Sequence, residues 1–245
     1  MSLIETILLS GAIIFFASII RGVTGFGLAL FALPLMTLYM PVKEVIITLA
    51  IVNFIFSITH ILRERNHLEK KEVFLISIFS LPGVLAGFIL HKSFPEQWLV
   101  IFAGIVIISF GIAMLRGFSL KMKNTNYAIS IASLIGGILA GSITIGGPIV
   151  ALALAGTTIP KNRFRHAMSI FFLFSYGFAV ILYLSSGMLN QSIIIIAGSS
   201  MPLLIAGLVV GVRISKGINQ KSFRQLILFL LLVMGVLMII RSFNL

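Results

Sequence analysis

The sequence predicts an all-α polytopic membrane protein made of two inverted five-segment repeats, each with a helical hairpin broken by glycines. Three observations predict it. Of 245 residues, 59% are hydrophobic and only 10% charged, with a mean hydropathy of +1.18, whereas soluble domains carry about a quarter charged residues. Two glycine-rich breaks, Gly22 to Gly27 and Gly141 to Gly147, interrupt apolar runs; an offset of 119 lays Gly22 on Gly141, Gly27 on Gly146 and Pro41 on Pro160. An offset of 120 lays Ser80 and Pro82 on Ser200 and Pro202, and Gly87 on Gly207. Third, the loop charges fall into a sided pattern. Two halves that break a helix at the same place point to a transporter with its site at the breaks.

The apolar runs lie at 3–20, 28–40, 45–62, 72–91 and 97–115, then at 127–143, 148–157, 164–184, 192–212 and 224–241. A full span takes about 20 residues at about 1.5 Å each. Runs 28–40 and 148–157 are too short and read as the second arms of hairpins whose first arms precede them. The glycines form the tips, because glycine accepts positive φ and lets backbones approach. Residues 1–120 form the first repeat and 121–245 the second, within one membrane domain. The N-terminus lacks the basic region of a signal peptide, so 3–20 reads as a retained helix.

Charge sets the topology. With the N-terminus outside, Lys43, Lys92 and Arg241 fall outside. Inside fall Arg63, Arg65, Lys70, Lys71, Arg116, Lys121, Lys123, Lys161, Arg163, Arg165, Arg213, Lys216, Lys221 and Arg224. The positive-inside rule therefore selects five segments per half, with both termini extracytoplasmic. An odd number of segments turns the second half over. Equivalent loops agree: 63–71 holds four basic residues and its counterpart 185–191 none, while 91–96 holds one and 213–224 four. The hairpins then enter from opposite faces, with tips able to meet near the midplane. The net charge of +12 belongs to loops facing anionic lipid rather than to a nucleic-acid partner.

The second arms start directly after the glycines, so two helix N-termini aim at the tips and favour an anion. Thr24, Ser142 and Thr144 add hydroxyls, Arg21 ends the first arm, and no carboxylate lies near either tip. The first arms bring an opposing negative pole to the same place, which glycine caps can turn aside. Arg21 has two readings, an anion contact or snorkelling to the inner surface; Ala140 stands in its place in the second half. Asn53 sits mid-helix opposite Phe172, where an interhelical hydrogen bond is the ordinary role. Pro82 and Pro202 are expected to kink their helices. His60 and His166 read as interfacial, and Tyr176 and Tyr183 as packing or interface residues.

The run from Gly22 to Pro34 resembles the first signature of the TauE/SafE sulfite exporter family, and the run from Gly136 to Pro148 resembles its second. The resemblance covers nearly the whole chain and implies an inner-membrane permease for small sulfur-containing anions: sulfite, thiosulfate or organosulfonates. It places Gly22, Gly25, Gly27, Gly141, Gly146 and Gly147 at the substrate site. The first tip departs from the family in lacking consecutive glycines, and the second in the Pro148 that follows its pair.

The expected function is secondary transport of a small anion by alternating access, at a site formed by Arg21, Gly22, Thr24, Gly25, Gly27, Asn53, Gly141, Ser142, Thr144, Gly146 and Gly147. An anion channel, or a carrier for a non-sulfur organic anion, is the alternative. No enzyme is expected: the chain has no Asp, no Cys, no His-Glu-x-x-His and no Gly-x-Ser-x-Gly. No cofactor or metal is expected, and thiolate sites are excluded by the zero cysteines. The partners are the substrate anion and the lipid bilayer. All six acidic residues are Glu, none beyond Glu96, so a buried carboxylate proton relay is not expected.

Overall fold

The computed structural model describes residues 2–63, 70–116, 125–156, 161–215 and 220–243, except the side chains of 60, 62, 63, 70, 125, 155, 161–163, 165 and 220–227. The described residues form helices and no strand. In order they are α1 (Leu3–Thr24), α2 (Leu28–Met36), α3 (Val42–Arg63), α4 (Lys70–Ser93), α5 (Glu96–Leu115), α6 (Thr125–Ile143), α7 (Gly147–Ala155), α8 (Lys161–Ser185), α9 (Gln191–Ser199), α10 (Met201–Ile214) and α11 (Gln220–Ser242). Among the described residues, seven segments are long and apolar enough to cross a membrane: α1, α5, most of α3, α4, α6 and α8, and α9 with α10 together. The protein is a multi-pass membrane protein.

The helix limits follow from local chemistry. A capping box opens α1: the Glu5 N–H donates to Ser2 Oγ at 3.3 Å and the Ser2 N–H to Glu5 Oε2 at 2.8 Å. Asn190 caps α9 by accepting the Ile193 N–H at 2.8 Å. The run expected at 192–212 breaks at Ser200, and Pro202 opens α10, where its missing N–H costs little. Pro82 instead lies inside an uninterrupted α4. The same Ser-x-Pro pattern thus starts a helix in one half and is absorbed within one in the other.

The chain divides into two compact units that cut across the sequence halves. The first holds Met1–Leu49, Phe94–Phe118 and Asn190–Leu245; the second holds Ala50–Ser93 and Ser119–Leu189. In the first unit α1 packs on α10 and α5 on α11. The register of α1 on α10 is set by small residues: a Cβ at Gly207 or Gly211 would overlap the Phe15 or Ile19 carbonyl oxygen, and one at Gly22 would lie 2.8 Å from that of Leu208. One end of this unit is tied by polar contacts. The Val42 N–H donates to Glu96 Oε2 at 3.2 Å, Asn190 Nδ2 to Glu44 Oε1 at 2.9 Å, and the Arg241 guanidinium to the Thr37 carbonyl.

In the second unit α4 packs on α6, and both pack on α8. A Cβ at Gly83 or Gly87 would overlap the Leu134 or Ile138 carbonyl, and one at Gly137 or Gly141 the Ser80 or Val84 carbonyl. The two packings match. Phe15, Ile19 and Gly22 play the parts of Leu134, Ile138 and Gly141, at the offset of 119 that relates the tips. Gly207 and Gly211 play the parts of Gly83 and Gly87, at an offset of 124 rather than the 120 that aligns the prolines. The partner helix is therefore displaced by about one turn, because the glycines that admit a neighbouring backbone set the contact. In both packings residue numbers rise together along the two helices, so each pair is parallel.

Among the loop charges, Arg65, Lys121, Lys123 and Lys216 lie outside the described residues. So do the side chains of Arg63, Lys70, Lys161, Arg163, Arg165, Lys221 and Arg224, and those of His60 and Pro160.

Candidate functional site

The first tip belongs to the first unit. There α1 ends at Thr24 and Gly25 takes the left-handed conformation, φ 85°, with its N–H donating to the Arg21 carbonyl at 2.7 Å. Gly27, also left-handed at φ 101°, precedes α2. Both conformations penalise a Cβ, which accounts for glycine at these two positions. Thr24 turns inward on its own backbone: its hydroxyl lies 2.9 Å from the Ile20 carbonyl and 2.5 Å from that of Phe26, so its one hydrogen serves these acceptors. Arg21 stands in the last turn of α1 and is 3% exposed. A snorkelling arginine keeps its guanidinium in water; this one is buried at the negative end of a helix, where a cation offsets the terminal carbonyls.

The second tip belongs to the second unit and is buried throughout, from Gly141 to Pro148. Its left-handed residue is Thr144, φ 61°, at the position that corresponds to Gly25. Left-handed backbone at a β-branched residue is strained, by about 1–3 kcal/mol. The Thr144 N–H donates to the Ala140 carbonyl at 3.2 Å, the bond that Gly25 makes to Arg21. Gly146 has φ −72° and is glycine for space: a Cβ there would overlap the Gly136 carbonyl and lie 2.9 Å from Ala140 Cβ. Gly147 faces the Phe172 ring, 2.8 Å from where its Cβ would stand. Ser142 donates back to the Ile138 carbonyl at 2.7 Å. Among the described residues, no three His, Cys, Asp or Glu side chains gather where they could hold a metal ion.

Three side chains reach the end of α6 from its neighbours. The Tyr183 hydroxyl donates to the Gly141 carbonyl at 2.9 Å, and the Tyr176 hydroxyl to the Thr144 carbonyl at 2.8 Å. His91 Nδ1 lies 3.2 Å from the Ser142 carbonyl; a carbonyl only accepts, so Nδ1 carries the hydrogen. The His91 ring meets Tyr183 edge-on, centroids 5.1 Å apart, and Tyr176 stacks on Phe172 at 5.6 Å. Tyr176 stands at the middle of the candidate span His166–Ser185, which sets Thr144 at about the same depth in this unit. The two tyrosines, expected as packing or interface residues, are indeed buried among rings, but the sequence reading did not foresee their hydrogen bonds and did not single out His91. The signal was present: a phenol or imidazole inside an apolar helix needs a partner, and a broken helix leaves carbonyls that need donors.

Asn53 lies on α3 in the second unit, 3% exposed, with its carbonyl accepting Ser57 Oγ at 2.6 Å. The expected site residues thus fall into two groups. Arg21, Gly22, Thr24, Gly25 and Gly27 gather at the first tip. Gly141, Ser142, Thr144, Gly146 and Gly147 gather at the second, in the unit that also holds Asn53.

A cavity of about 450 Å³ in the first unit lies beyond the far end of α2, between Thr37, Tyr39, Glu96 and Arg241, and is lined by none of the tip residues. Tyr39 shares a 2.9 Å hydrogen bond with Ser10, and burial pushes its phenol pKa up.

No curated protein and no solved structure matches this sequence. The model of the sulfite exporter TauE/SafE family matches residues 10–238. The chain, a helical membrane protein with two glycine-tipped hairpins, belongs to the TauE/SafE sulfite exporter family of membrane transporters.

Proposed function

We propose that the chain is a secondary transporter that moves a small sulfur oxyanion (sulfite, thiosulfate or an organosulfonate) across the cell inner membrane by alternating access, with the substrate held at the two hairpin tips. The observation that carries this reading is the pair of capped breaks. At each, a helix ends on a left-handed residue, Gly25 or Thr144, and a second helix begins within three residues. Such a break turns free backbone N–H groups toward one place and favours an anion. Family membership supports the oxyanion. The parallel pairing of α1 with α10 and of α4 with α6 supports an inverted repeat, because α1 and α4 run in opposite senses in the five-segment reading, and only an overturned second half makes both pairs parallel. The tips then enter from opposite faces, with both termini outside. Without a carboxylate at the tips, the anion crosses carrying its own charge, and flux follows the membrane potential.

The test is flux of radiolabelled thiosulfate and sulfite into proteoliposomes under an imposed potential. Saturable uptake with counterflow is expected. Gly27→Leu and Gly146→Leu are expected to abolish it in protein that still melts cooperatively. Flux that survives both changes places the site elsewhere, and large single-channel currents make the protein a channel.

A further inference from the structure

Resting on the anion reading above, we propose that His91, Tyr176 and Tyr183 are positioning residues of the second tip: by occupying three carbonyls at the end of α6 and in the turn after it, they tilt the tip toward presenting donors rather than acceptors to its guest.

A broken helix brings two opposite poles to one place. The N–H groups that open α7 attract an anion, and the carbonyls that close α6 repel it. Unless the second pole is masked, the two largely cancel. At the second tip the masking is built from side chains of neighbouring helices. Tyr183 takes the Gly141 carbonyl, His91 that of Ser142 and Tyr176 that of Thr144, at 2.9, 3.2 and 2.8 Å. The Ala140 and Leu139 carbonyls accept the Thr144 and Ile145 N–H groups, each at 3.2 Å. The exposures of His91, Tyr176 and Tyr183 are 0%, 2% and 0%, so water does not compete for these bonds.

The first tip solves the same problem with a charge. Arg21, buried in the last turn of α1, occupies the position that Ala140 takes in the second half. The counterparts of Tyr176 and Tyr183 at the offset of 119 are Ser57 and Glu64, neither of which can supply a phenol. One half therefore answers its negative pole with an arginine and the other with three hydrogen-bond donors. The bond from Tyr176 has a second effect, since it anchors the carbonyl of the strained Thr144 and holds the turn in one conformation.

The experiment uses the purified full chain in detergent and compares two probes by calorimetry, the dianion thiosulfate and the monoanion methanesulfonate. The variants are Tyr176→Phe, Tyr183→Phe, His91→Leu and His91→Asn, the last keeping a donor near the place of Nδ1. Each lost donor uncovers a carbonyl dipole, which opposes a double charge more than a single one. Thiosulfate affinity is expected to fall roughly tenfold per bond removed, methanesulfonate affinity by less, and His91→Asn to retain most of what His91→Leu loses. A purely structural role lowers the melting temperature and leaves the ratio of the two affinities unchanged. That result overturns the inference, as do wild-type affinities in both Phe variants. If wild-type protein binds neither probe, the anion reading falls and the inference with it. If the wild type binds both probes and Gly146→Leu binds neither while the donor variants bind normally, the reading stands and the inference alone falls.

Discussion

Two positions carry the same backbone conformation with opposite chemistry. Gly25 and Thr144 both cap their helices in left-handed geometry, φ 85° and 61°. Glycine adopts it freely, and threonine does so at a cost that the surrounding bonds offset. At the first tip, where the cap is local, the side chain decides stability. Gly25→Asn is expected to cost least, Gly25→Ala about 1–2 kcal/mol and Gly25→Val more, because only Asn tolerates left-handed backbone among these three. Melting temperatures of the purified variants check the order, and equal values for Asn and Val contradict it. The left-handed turns at Gly25 and Gly27 were legible in the sequence because glycine announces them. Thr144 was not. The Tyr176 hydroxyl holds its carbonyl at 2.8 Å, and no local rule assigns a threonine to that region.

At the scale of the helix, the small residues divide by what faces them. Gly87 lies against the Ile138 carbonyl and the Ser142 N–H, with 2.8 Å between that nitrogen and a Cβ placed there, whereas a Cβ at Gly198 of α9 meets nothing within 4 Å. Gly87→Ala is therefore expected to destabilise by about 1–3 kcal/mol through forced separation of α4 from α6. Gly198→Ala is expected to stabilise by about 0.5–1 kcal/mol, because an exposed helical glycine gains from a methyl group. Thermal melting of both variants in one detergent decides it, and a common sign refutes the assignment of Gly87 to a backbone contact. The helices themselves were legible from the apolar runs, including both short arms. Their partners were not: a stripe of glycines shows which face admits a neighbour, and not which neighbour comes. Nor did the repeated Ser-x-Pro pattern reveal the one-turn displacement, since the prolines mark helix geometry while Gly83, Gly87, Gly207 and Gly211 set the contact.

For the whole molecule, composition made the membrane legible, and the paired breaks made the two hairpins and the transporter class legible. The interleaving of the halves was hidden, because sequence order puts α1 through α5 together while packing joins α1 to α10 and α4 to α6. In the proposed arrangement the second half is the first turned over in the bilayer. The chain has no cysteine, so single cysteines report sidedness without background. Lys70→Cys, Lys221→Cys and Lys92→Cys, each introduced alone, can be probed from outside in intact cells with a membrane-impermeant maleimide. The inverted arrangement predicts labelling of the third and protection of the first two until the membrane is opened; labelling of Lys70→Cys and Lys221→Cys from opposite faces contradicts it.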